Sequence, residues 1–107
     1  MRRAIFLLTA LLLILPVFAA TPDSISYYEQ GNSFLKQGKN AEAVQQYDLA
    51  IGIDPTMSVT WYNKAIALDR MGRYADALEA YNQTLVLYPN DDTAWNNMGI
   101  LLDKMGR

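Results

Sequence analysis

The sequence predicts an all-α fold of antiparallel helical hairpins stacked into a short solenoid. Trp61, Ala65 and Leu68 lie at i, i+4 and i+7, which places them along one face of a helix. Gly72 follows this helix, and a second helical pattern begins directly after it and ends at Pro89. The same arrangement recurs every 34 residues, which indicates that the chain repeats one structural unit.

The chain begins with an apolar segment that has the features of a secretory signal peptide. Arg2 and Arg3 precede a run of almost purely apolar residues over 4–15, and small residues follow at the positions that a signal peptidase inspects. We therefore predict a signal peptide over residues 1–19 and a linker over residues 20–23.

An uncleaved membrane anchor over residues 4–20 is the alternative, although this run is slightly short for the roughly 20 residues that span a bilayer. Both interpretations predict that the remainder of the chain is exported across the cytoplasmic membrane, to be secreted or held at the cell surface. The chain has no cysteine, which excludes disulfide bonds and a cysteine-linked lipid anchor.

Five helices are predicted after this segment, and they pair into repeats. They are expected at Ser24–Gln37, Asn40–Ile53, Ser58–Met71, Tyr74–Leu87 and Asp92–Met105. Pro55 and Pro89 separate successive hairpins, because the residue before a proline is disfavoured in a helix. Residues 24–57 thus form repeat 1, residues 58–91 form repeat 2, and residues 92–107 supply only the first helix of a third repeat.

The repeats resemble the tetratricopeptide pattern, in which an aromatic residue, a Leu-Gly pair, a second large residue, an alanine, a further aromatic residue and a proline follow in order. The matching residues are Tyr27, Gly31, Phe34, Ala43, Tyr47 and Pro55 in repeat 1, Trp61, Ala65, Leu68, Ala77, Tyr81 and Pro89 in repeat 2, and Trp95, Gly99 and Leu102 in the third. Gln30 and Lys64 depart from the usual leucine. The resemblance implies a right-handed solenoid of two and a half repeats that binds a protein or peptide partner.

The resemblance also implies that the first helix of each repeat lines a concave groove. The residues predicted to bind a partner there are Tyr28, Asn32, Tyr62, Asn63, Ile66, Asp69, Asn96 and Asn97. Amide side chains can pair with a peptide backbone, and tyrosines give contact area at a low entropic cost. The alternative is that these residues only follow the usual sequence of the family at this place.

Some members of the family hold a C-terminal carboxylate with a clamp of cations and asparagines. Asn32 and Asn63 match the two asparagines of that clamp, but Tyr28, Thr93 and Asn97 stand where its cations would be. Charge-assisted hydrogen bonds to the carboxylate are lost without those cations. We therefore do not predict this ligand.

Composition argues against catalysis and against nucleic-acid binding. The chain has no histidine and no cysteine, which removes imidazole bases, thiol nucleophiles and the common zinc sites, and no cofactor is predicted. Asp69 and Asp103 are candidates for a catalytic carboxylate pair, but each precedes a basic residue near a helix end, where a solvated charge is the simpler interpretation. The net charge is −2 and the basic residues are interleaved with acids, so no patch for phosphates is expected.

The last helix is predicted to leave apolar surface for another repeat, a partner or a second copy. The residues expected to dock on repeat 2 are Trp95, Met98, Gly99 and Leu102. Ile100, Leu101 and Met105 do not suit the polar face of a terminal helix. The preferred interpretation is part of a longer repeat protein, and self-association through this end comes second. A fragment that only stacks or self-associates, without a dedicated ligand, is the alternative to partner binding.

Overall fold

The computed structural model describes residues 23–107, and these residues form five α-helices. They are α1 (Ser24–Lys36), α2 (Asn40–Ile53), α3 (Ser58–Arg70), α4 (Tyr74–Leu87) and α5 (Asp92–Lys104). The predicted signal peptide, the alternative anchor and all but the last residue of the predicted linker lie outside the described residues. Across the helices from α1 to α5, none has both the length and the apolar character needed to cross a membrane.

The predicted all-α fold of stacked hairpins is confirmed. α1 packs on α2 and α3 packs on α4 to form two hairpins, while α2 packs on α3 and α4 packs on α5 to stack them. Each helix begins at its predicted residue. α1, α3 and α5 end one residue earlier than predicted, since Gln37, Met71 and Met105 serve as their C-caps.

The helix ends follow from local sequence. Gly72 has a φ of +75°, a conformation that other residues rarely adopt, and the N–H of Arg73 after it donates to the carbonyl of Leu68 at 2.9 Å. These two features make up a Schellman motif, which ends α3 and leads the chain into α4. At the start of α5 the Asp91 carboxylate accepts a hydrogen bond from the N–H of Ala94 at 3.0 Å, as expected for an N-cap.

The core is built from small residues around two buried tyrosines. Tyr47 is fully buried and Tyr81 is 1% exposed, and Ala65 and Ala77 are fully buried where α3 packs on α4. Trp61 packs against this core but stays half-buried, and its indole N–H donates to the carbonyl of Pro55 at 2.9 Å. The tyrosines, more than the tryptophan, fill the interior.

Repeat 1 shows how tightly a tyrosine packs at a helix crossing. A Cβ atom placed on Gly31 of α1 would lie 2.5 Å from the ring of Tyr47 in α2. This distance is shorter than real contacts between carbon atoms, so only glycine lets the ring lie against the α1 backbone.

The docking of α5 agrees with the prediction at Met98, which packs against the core, and differs from it at Trp95 and Gly99. Ala94 and Leu101 are fully buried, whereas Trp95 is 51% exposed and a Cβ atom built on Gly99 would meet no atom within 4 Å. Ala94 and Leu101 lie on the face of α5 that meets α4. Trp95 and Gly99 occupy the repeat positions at which α3 meets its own second helix, and within residues 23–107 no helix follows α5.

Substitution of glycines within helices tests the packing of Tyr47. Gly31→Ala is expected to lower the free energy of unfolding by roughly 1–3 kcal/mol, because the new methyl group overlaps the tyrosine ring. Gly52→Ala in α2 is the matched control and should raise it by roughly 0.5–1 kcal/mol, since Gly52 is exposed and its Cβ would meet no atom. Urea unfolding followed by circular dichroism measures both changes. Equal effects of the two substitutions would contradict this account.

Candidate binding groove

The first helices of the repeats, α1, α3 and α5, lie side by side and carry all the predicted partner-binding residues. We call this the α1–α3–α5 surface, formed by Tyr28, Asn32, Tyr62, Asn63, Ile66, Asp69, Asn96 and Asn97. Hydrogen bonds across neighbouring repeats join several of these side chains. The side-chain amide of Asn63 donates to the hydroxyl of Tyr28 at 3.3 Å, and that of Asn97 donates to the hydroxyl of Tyr62 at 2.8 Å.

Asn32 is the centre of the hydrogen-bond network in repeat 1. Its Oδ1 accepts from the Tyr47 hydroxyl at 2.7 Å and from Nδ2 of Asn63 at 2.9 Å. These two bonds tie α1 to α2 of its own hairpin and to α3 of the next. The hydrogen bonds that Asn32 makes within residues 23–107 use only its side-chain oxygen.

Charged side chains connect α3 to both of its neighbours on this surface, α5 and α1. Nζ of Lys104 in α5 lies 3.0 Å from Oδ1 of Asp69, and a guanidinium nitrogen of Arg70 donates to the carbonyl of Leu35 at 3.4 Å. Asp69 is therefore ion-paired and half-buried, whereas Asp103 is exposed. Among residues 23–107, no three acidic side chains converge as they would around a metal ion.

Ile66 and Asn96 take no part in these hydrogen bonds. Ile66 occupies the position in repeat 2 that Asn32 occupies in repeat 1, and it is half-buried. Asn96 occupies the position of Tyr62 one repeat later and is exposed. The surface thus combines a polar network with one accessible apolar side chain and one accessible amide.

Burial keeps the tyrosines of this region protonated. Burial raises the pKa of Tyr81 to about 12, with smaller contributions from the Asp69 carboxylate and from Tyr62. Burial likewise raises the pKa of Tyr47, with Tyr28 adding to the effect, and raises the pKa of Tyr62, with Asp91 adding to it. Their hydroxyl groups therefore stay protonated at alkaline pH values at which an ordinary tyrosine ionises.

A cleft of about 240 Å³ lies between α2, α3 and α4, and none of the predicted partner-binding residues lines it. Two ion pairs occupy its rim, Lys64 with Asp48 at 2.7 Å and Arg73 with Asp76 at 2.6 Å.

The sequence pattern identifies the polar surface residues but not their pairing with each other. Tyr47 stands in it only as a residue of the repeat pattern, although its hydroxyl also donates to Asn32. The available signal was the repeat itself, because Tyr28 with Asn63 and Tyr62 with Asn97 share one spacing of 35 residues.

Comparison with known proteins decides the family. Models of the tetratricopeptide repeat match residues 25–57 and residues 58–91, which together make up more than half of the chain. The chain belongs to the tetratricopeptide repeat family. No curated protein sequence matches it.

Solved tetratricopeptide structures share its fold. The second tetratricopeptide domain of Spaghetti (RPAP3), bound to the HSP90 peptide SRMEEVD, is 26% identical with a TM-score of 0.76 over 78% of each chain. The domain of Sgt2 from Aspergillus fumigatus is also 26% identical, with a TM-score of 0.74 over 80% of this chain and 57% of that one. MamA, at 23% identity and a TM-score of 0.77, shows likeness of fold alone over 78% of this chain and 49% of its own.

The family and the fold place this tetratricopeptide chain among protein-interaction modules. Members of the family generally bind proteins or peptides and are not in general enzymes. Which partner this chain binds depends on the side chains of its own surface.

Alkaline titration tests the burial of the tyrosines. The ordinary tyrosine pKa is 10.0 and that of folded Tyr81 is about 12, so between these values the unfolded chain loses protons that the folded chain keeps. The contribution that burial of protonated Tyr81 makes to the free energy of unfolding is complete below pH 10.0 and is lost as the pH rises towards 12. Urea unfolding at a series of pH values should show this decline, and Tyr81→Phe should make it shallower. A decline of the same slope in both proteins would contradict the assignment.

Proposed function

We propose that the α1–α3–α5 surface binds an extended segment of a partner protein and so recruits that partner. The observation that carries the proposal is the network around Asn32, which holds polar side chains from two repeats in one fixed arrangement. A surface fixed in this way loses little side-chain entropy when a ligand binds. The alternative, repeats that only stack or self-associate, gives no role to the outward groups of this surface.

The chemistry of the surface suits a peptide recognised through its backbone and one apolar side chain. The amide nitrogen of Asn32, which makes no hydrogen bond within the described part of the chain, can donate to a peptide carbonyl, and exposed Asn96 can both donate and accept. Ile66, between them in the array, offers contact to an aliphatic or aromatic side chain. No step of bond making or breaking is part of this role.

The partner we propose does not depend on a C-terminal carboxylate. The related Spaghetti domain was solved with the peptide SRMEEVD. This chain carries Tyr28, Thr93 and Asn97 where the clamp for such ends has cations, and no cation replaces them at those positions. Carboxylate binding without cations loses its charge-assisted hydrogen bonds.

We further propose that the repeats act after export, as the apolar N-terminal segment indicates. On this proposal the partner is an extracytoplasmic or cell-surface protein. Cell fractionation that recovers the full chain in the cytoplasm would overturn it without affecting the binding proposal.

Peptide selection tests the binding function. A random peptide library is selected on the full chain, and the affinity of a selected peptide is measured by fluorescence polarisation. Ile66→Ala and Asn96→Ala should each weaken binding about tenfold, which corresponds to about 1.4 kcal/mol. Ile53→Ala is the matched control, since Ile53 is exposed on α2 away from this surface, and it should leave affinity unchanged.

Two results would contradict the proposed function. The first is a selected peptide whose affinity falls with Ile53→Ala and not with Ile66→Ala. The second is tight binding of SRMEEVD that is lost when its C-terminal carboxylate is amidated, which would show a carboxylate clamp after all.

A further inference from the structure

In repeat 1, two hydrogen-bond donors from different helices share one side-chain oxygen. Oδ1 of Asn32 in α1 accepts from the Tyr47 hydroxyl of α2 at 2.7 Å. It also accepts from Nδ2 of Asn63 in α3 at 2.9 Å. The Asn32 oxygen is thus the acceptor on which a tyrosine and an amide converge.

Repeat 2 keeps both kinds of donor and replaces the acceptor. One repeat later the tyrosine is Tyr81 of α4 and the amide is Asn97 of α5. The position of Asn32 is taken by Ile66 of α3, whose side chain has no atom that accepts a hydrogen bond. We call Tyr81, Asn97 and Ile66 the repeat 2 donor site.

The side chains around the two tyrosines are arranged alike in both repeats. The ring centroids of Tyr28 and Tyr47 lie 6.2 Å apart in repeat 1, and those of Tyr62 and Tyr81 lie 6.0 Å apart in repeat 2. The amide of Asn97 donates to the Tyr62 hydroxyl at 2.8 Å, as the corresponding asparagine does in repeat 1. Helices α3, α4 and α5 therefore place the donors of repeat 2 as α1, α2 and α3 place those of repeat 1.

The hydroxyl of Tyr81 donates to no group within residues 23–107, yet it is not enclosed. Tyr81 as a whole is 1% exposed. The buried side-chain polar atoms that lack a hydrogen bond in this part of the chain belong to Asn40, Gln46 and Thr60, and the Tyr81 hydroxyl is not among them. The hydroxyl is therefore the polar tip of a buried side chain that reaches the surface of the groove.

The Asn97 amide lies close to this hydroxyl. Burial raises the pKa of Tyr81, and the Asn97 side chain offsets part of that rise, as Asn63 does for Tyr47 in repeat 1. Within residues 23–107 the Asn97 amide donates once, to Tyr62, although a side-chain amide has two hydrogens. Two donors therefore meet in repeat 2 without an acceptor from the described part of the chain.

The group that suits these donors is a neutral carbonyl oxygen. In repeat 1 the same place holds the oxygen of an uncharged amide, that of Asn32. After burial, the nearby Asp69 carboxylate contributes most to the raised pKa of Tyr81, and it would repel a carboxylate of the partner. Lys104 pairs with Asp69 at 3.0 Å, so the neighbouring cation is already used.

We propose that the repeat 2 donor site binds one amide carbonyl oxygen of the partner segment, in the place that the Asn32 oxygen occupies in repeat 1. This inference rests on the proposed function, because the site lies on the α1–α3–α5 surface. The carbonyl belongs either to the peptide backbone or to an asparagine or glutamine side chain of the partner. Ile66 then contacts the apolar part of the partner beside that carbonyl.

Removal of the Tyr81 hydroxyl tests the site with a peptide selected on the full chain. Tyr81→Phe keeps the buried ring and removes the donor, so the affinity measured by fluorescence polarisation should fall about fivefold or more. Tyr88→Phe is the matched control, because Tyr88 is 53% exposed at the end of α4, and it should leave the affinity unchanged. Circular dichroism verifies that both variants fold.

Two series of altered peptides distinguish the sources of the carbonyl. In one series each backbone amide in turn becomes a thioamide, a weaker acceptor, and in the other each asparagine or glutamine becomes leucine. One change should weaken binding to the unaltered chain and have little effect on binding to Tyr81→Phe, since the hydroxyl it would pair with is gone. The series in which that change occurs identifies a backbone or a side-chain carbonyl.

The outcomes separate this inference from the proposed function. A peptide that is weakened by Ile66→Ala and Asn96→Ala, but by neither Tyr81→Phe nor any change coupled to it, would overturn the donor site and leave the proposed function standing. A library that gives no peptide sensitive to Ile66→Ala or Asn96→Ala would overturn both.

A test without ligand uses Ile66→Asn, which returns an amide to the position that Asn32 has in repeat 1. In this background Tyr81→Phe should lower the urea midpoint by more than it does in the unaltered chain, because the hydroxyl has gained an acceptor. Ile66→Leu is the control background, in which the effect of Tyr81→Phe should match that in the unaltered chain. Equal shifts in all three backgrounds would overturn the proposal, since no carbonyl oxygen at this position would then reach the hydroxyl.

Discussion

The contact of Tyr47 with Gly31 is the interaction on which the first hairpin and the groove both depend. Its ring lies against the backbone of α1, where no Cβ fits, and this sets how closely α1 and α2 approach. Its hydroxyl, at the other end of the same side chain, donates to Asn32 at 2.7 Å. Close packing in the core therefore also fixes a polar group on the surface.

The repeat converts this local arrangement into a continuous surface. Asn32 accepts a second hydrogen bond from Asn63 in the next repeat, and Tyr62 accepts one from Asn97 in the repeat after that. The same helices that stack the array therefore hold the candidate binding groups in register. A partner that binds across two repeats meets groups whose relative positions are set by the fold and not by loops.

The sequence predicted the fold well because the same spacing of helix-face residues, glycines and prolines recurs every 34 residues. Helix starts, glycine turns and the close approach at Ala65 and Ala77 follow from spacing and residue size alone. The burial of Leu101 and the half-exposed position of Trp61 were not predicted, because they depend on the angle at which one hairpin stacks on the next. The bond between Asn32 and Asn63 was missed for the same reason, since residues 31 positions apart meet only once that angle is set.

The central claim is that a partner peptide contacts the outward groups of the α1–α3–α5 surface. Side-chain amide signals in a ¹⁵N–¹H NMR titration with a selected peptide test it most directly. The account predicts that the amide signals of Asn32 and Asn96 shift with the bound fraction, while those of Asn82 and Gln45, exposed on α4 and α2, stay in place. Shifts at Asn82 and Gln45 with Asn32 and Asn96 unmoved would contradict the claim.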